Sequence, residues 1–161
     1  MSDILEAVTS LSIARHTVQF ILFSALDANP KQCCGLIGQH ESTISHAVLL
    51  PNIKLAHSAK HIFQNSDLQH TLKHWSEQGI TPCGMFFTTV NGEVPAYSEL
   101  KKSENFFKKT MTEFTGKPFI HMPLMLNTAG CLEAFSYRLG KDALISIPLI
   151  LEEDGQQIKN G

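Results

Sequence analysis

The sequence predicts an α/β (α+β) domain in which about three helices flank a mostly antiparallel central sheet. Three segments repeat apolar residues at three- and four-residue spacing, which indicates amphipathic helices. Short apolar runs bounded by turn-forming residues separate them, which indicates buried strands. Hydrophobic residues make up 43% of the chain and charged residues 17%, and this composition excludes a disordered protein.

The whole chain is expected to form one domain. Its 161 residues contain no internal repeat or linker. We expect the domain to span residues 1–151 and a polar tail to span residues 152–161. A chain of this size buries roughly 70% of its unfolded surface, so folding requires no cofactor and none is predicted.

The first predicted helix begins near Val18, where the apolar spacing starts. It ends before Asn29 and Pro30, because proline disfavours helical backbone in the residue that precedes it. Two apolar runs follow at residues 33–39 and 44–50, with a polar tip between them. They predict a hairpin of mostly buried strands.

A brief strand is expected at residues 61–63, ahead of the second helix. Ser66 or Asp67 is positioned to cap that helix, and Gly79 is positioned to end it. The apolar run at residues 80–88 predicts the next strand.

Ser98 occupies the N-cap position of a third predicted helix, which runs to about Thr115 and ends at a glycine-proline sequence. Turn-forming residues divide the apolar sequence that follows. The three strands predicted there span residues 119–126, 132–139 and 143–151.

Three short segments carry a resemblance to a known family. Residues 30–38 read Pro-Lys-Gln-Cys-Cys-Gly-Leu-Ile-Gly, and residues 83–90 read Cys-Gly-Met-Phe-Phe-Thr-Thr-Val. They are similar to the Pro-x-Glu-x-Cys-Gly-Leu-Leu-x-Gly and Gly-x-x-His-Ser-His-Pro motifs of the JAMM/MPN (JAB-like) zinc isopeptidases. Residues 98–101 resemble the Ser-x-x-Asp motif of the same family. The resemblance covers roughly residues 13–149 and implies an MPN/cytidine-deaminase-like architecture.

The resemblance also implies that the catalytic residues are missing. The family's two zinc-binding histidines fall on Phe87 and Thr89, its aspartate on Lys101, and its catalytic glutamate on Gln32. None of these side chains replaces the original, because zinc needs imidazole, thiolate or carboxylate ligands and the base must accept a proton. Ser98 matches a family active-site serine, but an ordinary N-cap is the stronger explanation. We therefore predict no catalytic residue and no metal.

The predicted function is that of a pseudo-enzyme, an inactive JAMM/MPN-like domain that binds a protein or peptide or acts as a scaffold. The sequence leaves the oligomeric state open between a monomer, a homodimer and a heterodimer. In the family, the segment after the histidine motif lies beside the ubiquitin-like tail of the substrate. The corresponding binding-groove candidates are Val90, Asn91, Val94 and Tyr97.

Other partners and locations are not expected. The formal charge of −2 does not favour nucleic acid or an anionic membrane surface. The N-terminus lacks the features of a signal peptide, and no apolar run approaches the roughly 18 residues of a membrane span. A cytoplasmic location is the expectation.

An alternative keeps the protein an enzyme, a metal-dependent hydrolase with a relocated site. Its metal ligands would be drawn from His57, His61, His70 and His74. His70 and His74 are four residues apart on a predicted helix and so share a face.

A cysteine could instead serve as a nucleophile in a metal-free reaction. The four cysteines form no C-x-x-C motif, and buried reduced thiols are the expectation. They are Cys33, Cys34, Cys83 and Cys131.

Overall fold

The computed structural model describes residues 10–28, 33–50, 66–89, 93–110, 118–126 and 129–153. This part of the chain contains three helices, α1 Arg15–Ala28, α2 Ser66–Glu77 and α3 Tyr97–Thr110. It also contains nine strands: β1 Leu11–Ala14, β2 Cys34–His40, β3 Thr43–Leu49, β4 Ile80–Thr88, β5 Ile120–Leu126, β6 Leu132–Ala134, β7 Tyr137–Leu139, β8 Leu144–Ser146 and β9 Leu149–Glu152.

All nine strands belong to one mixed sheet with the order β8-β7-β5-β4-β2-β3-β1-β9, and β6 pairs with β5 beside this path. The pairs β2–β3, β2–β4, β5–β6, β5–β7 and β7–β8 are antiparallel. The pairs β4–β5, β1–β3 and β1–β9 are parallel. The prediction of a mostly antiparallel sheet is therefore only partly right. Helix α3 crosses from β4 to β5, and such crossover connections produce parallel neighbours.

The strands predicted at residues 132–139 and 143–151 are each divided in two. The first is interrupted at Phe135 and Ser136, and the second at Ile147 and Pro148. Only two residues connect β8 to β9, although these strands lie at opposite ends of the strand order. The sheet must therefore curl so that its ends approach each other. The interruption also frees the Pro148 carbonyl to accept the Leu11 N–H at 2.9 Å.

The chain also departs from prediction at its start. Strand β1 was not predicted, and helix α1 begins at Arg15, directly after it. A four-residue strand is too short to show a clear alternation of apolar and polar residues in the sequence. The predicted strand at residues 61–63 and the end of the third helix near Thr115 lie outside the described residues. The domain bounds stay a prediction.

Helix α2 ends as the sequence predicts. Gly79 has a φ of 77°, a left-handed conformation that favours glycine. The N–H of Gln78 bonds to the carbonyls of His74 and Trp75, and the N–H of Gly79 bonds to that of Ser76. None of the three described helices combines the length and the apolar composition needed to cross a lipid bilayer.

Apolar side chains pack on both faces of the sheet. The α1-side cluster contains Ile21 and Ala25 of α1 with Phe86 of β4 and Ile120 and Met122 of β5, among others. The α3-side cluster lies on the opposite face. It includes Leu36, Met85, Phe87, Leu100, Phe107 and Phe119. Strand β4 contributes to both clusters and is the centre of the fold.

Gly84 allows β4 and β5 to approach each other. A Cβ atom at this position would lie 2.0 Å from the carbonyl oxygen of Ile120. We expect Gly84→Ala to lower the free energy of unfolding by about 3 kcal/mol, at the upper end of overpacking costs, because a backbone atom blocks the new methyl group.

Gly79→Ala is the matched control for this change. A Cβ atom there would lie 4.0 Å from its nearest neighbour, so only the left-handed conformation is penalised, by about 1 kcal/mol. Urea denaturation of both variants measures the difference. Equal losses would contradict the close approach of β4 and β5.

Candidate functional site

The positions that the resemblance assigns to the family's zinc ligands begin at the end of β4. Phe87 lies between Cys34 of β2 and Pro123 of β5 in the strand register. Its side chain is only 2% exposed and belongs to the α3-side cluster. Phe87 is therefore a core residue, in addition to lacking any donor atom.

The two threonines that follow Phe87 fix the end of β4 to its neighbours. The hydroxyl of Thr88 accepts a hydrogen bond from the N–H of Cys33 at 2.9 Å. The hydroxyl of Thr89 donates to the carbonyl of Leu124 at 3.3 Å, and the Thr89 N–H bonds to the same oxygen. Both hydroxyls thus take part in backbone bonding at this end of the sheet.

Helix α3 carries the other two predicted positions, Ser98 and Lys101, and both are exposed. The carbonyl of Ala96 accepts the N–H groups of Glu99 and Leu100, so Ala96 occupies the N-cap position. The prediction that Ser98 caps this helix is wrong, because the helix starts at Tyr97 and Ser98 lies in its first turn.

Two of the four binding-groove candidates, Val94 and Tyr97, lie within the described residues, and the groove stays a prediction. The side chain of Val94 packs against the α3-side cluster. The hydroxyl of Tyr97 donates to the carbonyl of Gly140 at 2.6 Å, which ties the start of α3 to the turn between β7 and β8. Both side chains stabilise the domain internally. Val90, Asn91 and Gln32 lie outside the described residues.

The alternative metal ligands are only partly described. His70 and His74 are exposed on α2, while His57 and His61 lie outside the described residues. Within the described ranges, no three His, Cys, Asp or Glu residues converge on a position that could hold a metal ion.

The cysteines differ in their surroundings. Cys34 and Cys83 are buried and Cys33 is half-buried, as expected, but Cys131 is exposed because it lies in the turn before β6. Burial, with a smaller contribution from neighbouring Cys33, raises the pKa of Cys34 to about 11. At neutral pH its side chain is therefore a thiol, which is a poor nucleophile.

A buried charged network was missed by the sequence analysis. His121 on β5 has no solvent exposure, and its Nε2 lies 3.0 Å from Oε1 of Glu104 on α3. The Nζ of Lys108 lies 3.0 Å from the other carboxylate oxygen. Glu104 stands four residues after Leu100 and three before Phe107, in the buried stripe of α3. A carboxylate within a stripe of apolar residues indicates a buried partner, and this feature of the sequence could have predicted the network.

The network keeps Glu104 ionised. Burial opposes the charge of this carboxylate, but hydrogen bonds from His121 and Lys108 outweigh that effect and hold its pKa below the ordinary value of 4.5. A carboxylate only accepts hydrogen bonds, so Nε2 of His121 is the donor. Nδ1 of His121 is buried without a hydrogen-bond partner. Because His121 has no solvent exposure, we assign this arrangement to the packing of α3 on β5.

The network lies close in the fold to two of the positions that the resemblance assigns to zinc ligands. His121 pairs in register with Met85, two residues before Phe87 on the same face of β4. Glu104 lies one helical turn after Lys101.

We expect Glu104→Gln to lower the free energy of unfolding by about 1–2 kcal/mol at pH 7, because hydrogen bonds to an ionised group are stronger than neutral ones. The folded-state pKa lies below the unfolded-state value, so the ionised carboxylate stabilises the fold above the unfolded-state pKa. That stabilisation is lost as the pH falls through the folded-state value.

Urea denaturation between pH 7 and pH 3 tests this expectation. The variant should lose less stability than the parent below about pH 4.5. Glu99→Gln, at an exposed position of the same helix, is the control and should change stability by only a few tenths of a kcal/mol. A Glu104→Gln curve parallel to the parent curve would show that the carboxylate does not contribute through its charge.

Comparison with known proteins supports the fold. No protein-family model and no curated protein matches the sequence. The solution structure of a protein from Desulfitobacterium hafniense is 14% identical, with 89% of this chain and 94% of that chain covered and a TM-score of 0.57. The crystal structure of a JAB1/MPN domain protein from Archaeoglobus fulgidus is 12% identical, with 88% and 99% covered and a TM-score of 0.51. At these identities the similarity concerns the fold alone, and the fold of this chain is MPN-like.

Proposed function

We propose that this chain is a non-catalytic MPN-fold domain that acts by binding another protein chain. One observation carries the proposal. The three positions that the resemblance assigns to zinc ligands hold a buried phenylalanine, a threonine whose hydroxyl bonds to a backbone carbonyl, and an exposed lysine.

The chemistry of these side chains is unsuited to zinc. Phe87 offers no lone pair, and Thr89 offers only a neutral hydroxyl. The ammonium group of Lys101 would repel a cation. A catalytic zinc site requires three protein ligands and an open position for water. This donor set supplies none of the three ligands.

The surface of the domain favours a protein partner. Large apolar side chains are exposed on α1, on the edge strand β9 and at the ends of β3 and β5. They are Phe20, Phe23, Leu26, Leu49, Leu126, Ile150 and Leu151. Three of them, Phe20, Phe23 and Leu26, follow one another at three-residue spacing along one side of α1, and contiguous exposed apolar surface is typical of protein interaction sites. We therefore place binding on this side of α1.

We expect the purified protein, offered equimolar zinc and then dialysed, to retain less than about 0.1 zinc per chain, because the described residues offer no ligand set that balances the cost of dehydrating the ion. Elemental analysis is the measurement. The protein should also leave isopeptide-linked and dipeptide substrates uncleaved, with and without added zinc.

Two variants distinguish the outcomes. One zinc per chain that is lost in Thr89→Ala would overturn the proposal, because the family position would then hold the metal. Zinc that is lost in the double variant His70→Ala/His74→Ala, together with substrate turnover, would instead establish the hydrolase with a relocated site.

A further inference from the structure

Helix α2 is held on the sheet mainly by one large side chain. Among residues 69–77 of this helix, only Trp75 is buried. Its indole ring lies against Gly38 of β2, where an added Cβ atom would come within 2.7 Å of the ring. Glycine inside a strand often marks such a close approach. The position of α2 therefore depends on the packing of a single indole ring.

The packing beside this ring is incomplete. A cavity of about 110 Å³ lies between the end of α2 and the start of β4. Its lining consists of Leu72, Ser76, Gly79, Ile80, Thr81 and Pro82. Side chains around a cavity lack part of the dispersion contacts that a dense interior provides. This end of α2 is therefore weakly anchored to the sheet.

Two histidines from other elements are linked to the indole ring. His46 on β3 pairs in register with Gly38, and its ring meets that of Trp75 edge-on at a centroid distance of 6.0 Å. Its Nδ1 lies 2.8 Å from the hydroxyl oxygen of Ser45. The carbonyl of Ser45 accepts a hydrogen bond from Nε2 of His16 on α1 at 3.0 Å. These contacts form a continuous chain from α1 to α2.

Four histidines from four elements share this region and form the histidine cluster, His16, His40, His46 and His74. His40 is the last residue of β2, and His74 directly precedes Trp75 on α2. Burial lowers the pKa of His46, and the charges of the other three histidines lower it further. Among the described residues, the groups that shift this pKa through their charge are thus all histidines, and no carboxylate offsets them.

The other charged groups on the elements around His46 are not among those that shift its pKa. Arg15 at the start of α1 is paired with Glu153. The rest are exposed: Glu41 in the turn after β2, Asp27 at the far end of α1, and Lys73 and Glu77 on α2. As the cluster takes up protons, His46 therefore meets repulsion from α1, β2 and α2.

We propose that the histidine cluster is a pH-sensitive switch that releases the Trp75 end of α2 from the sheet as the pH falls below about 6.5, while the rest of the domain stays folded. Opening one weakly anchored element costs less free energy than global unfolding. The docked state has the lower His46 pKa, so docking is stable above the pKa of the released state and is lost as the pH falls through that value. The inference is independent of the proposed binding function.

The fluorescence of Trp75 tests the proposal, because it is the only tryptophan of the chain. Between pH 7.5 and pH 5 its emission maximum should move to longer wavelength, while circular dichroism shows that the sheet is retained. The ratio of released to docked helix should rise by up to about tenfold per pH unit for each proton taken up. The range ends above the pKa of Glu104, whose network therefore stays ionised.

Two results would refute the switch. One is an emission maximum that stays constant down to pH 5, even if the intensity falls, because a protonated imidazole beside the ring can quench it without moving the helix. The other is a simultaneous loss of the circular dichroism of the sheet, because the whole domain would then unfold.

His46→Gln identifies the titrating group. Glutamine keeps a hydrogen-bonding side chain but takes up no proton, so the ratio should change about tenfold less per pH unit than in the parent. His70→Gln is the matched control, since His70 is exposed on the same helix and does not act on His46. It should leave the transition unchanged. Equal effects of the two variants would exclude His46 as the switch.

His74→Gln provides a second test that leaves the contact between His46 and Trp75 in place. It removes one of the repelling charges and should move the midpoint of the transition to lower pH. Added salt should do the same in the parent, because it screens the repulsion. If His46→Gln already releases α2 at pH 7.5, this variant decides, and an unchanged midpoint in His74→Gln and in salt would refute the cluster.

Discussion

Strand β4 is constrained on all four sides, and the rest of the domain depends on this constraint. It bonds to β2 and β5 along its edges and packs against an apolar cluster on each face. Alternate side chains must therefore be apolar toward both faces, and Gly84 must lack a side chain where β5 approaches. The same packing carries Phe87 into the core at the end of the strand, where the family places its first histidine.

The end of β4 consequently has a structural role. The hydroxyls of Thr88 and Thr89 form hydrogen bonds that fix β4 to the start of β2 and to the middle of β5. Two buried ionisable residues lie between α3 and β5, where Nε2 of His121 donates to the carboxylate of Glu104. Buried charges are tolerated only when they are paired in this way. The chemistry of this region thus supports the packing of a helix on the sheet.

The buried face of α1 also has a structural role. The inner face completes the core above the sheet, and β1, which directly precedes the helix, is held between β3 and β9. The start of α1 is therefore fixed to the sheet by the strand that precedes it.

The sequence by itself determined the elements whose periods are long enough to be recognised. Helix α2 with its end at Gly79, strand β4 and the β2–β3 hairpin all lie within one or two residues of prediction. It also determined the side-chain types at the positions that the resemblance assigns to zinc ligands, since Phe87, Thr89 and Lys101 are a matter of composition and order.

Tertiary structure decided what depends on segments that are distant in the chain. It set the parallel neighbours of β1, the division of the last strands and the start of α3 ahead of Ser98. It also brought Glu104 to His121, 17 residues away. Local periodicity cannot encode such contacts, because the partner of each residue is set by how the sheet curls and where the helices cross it.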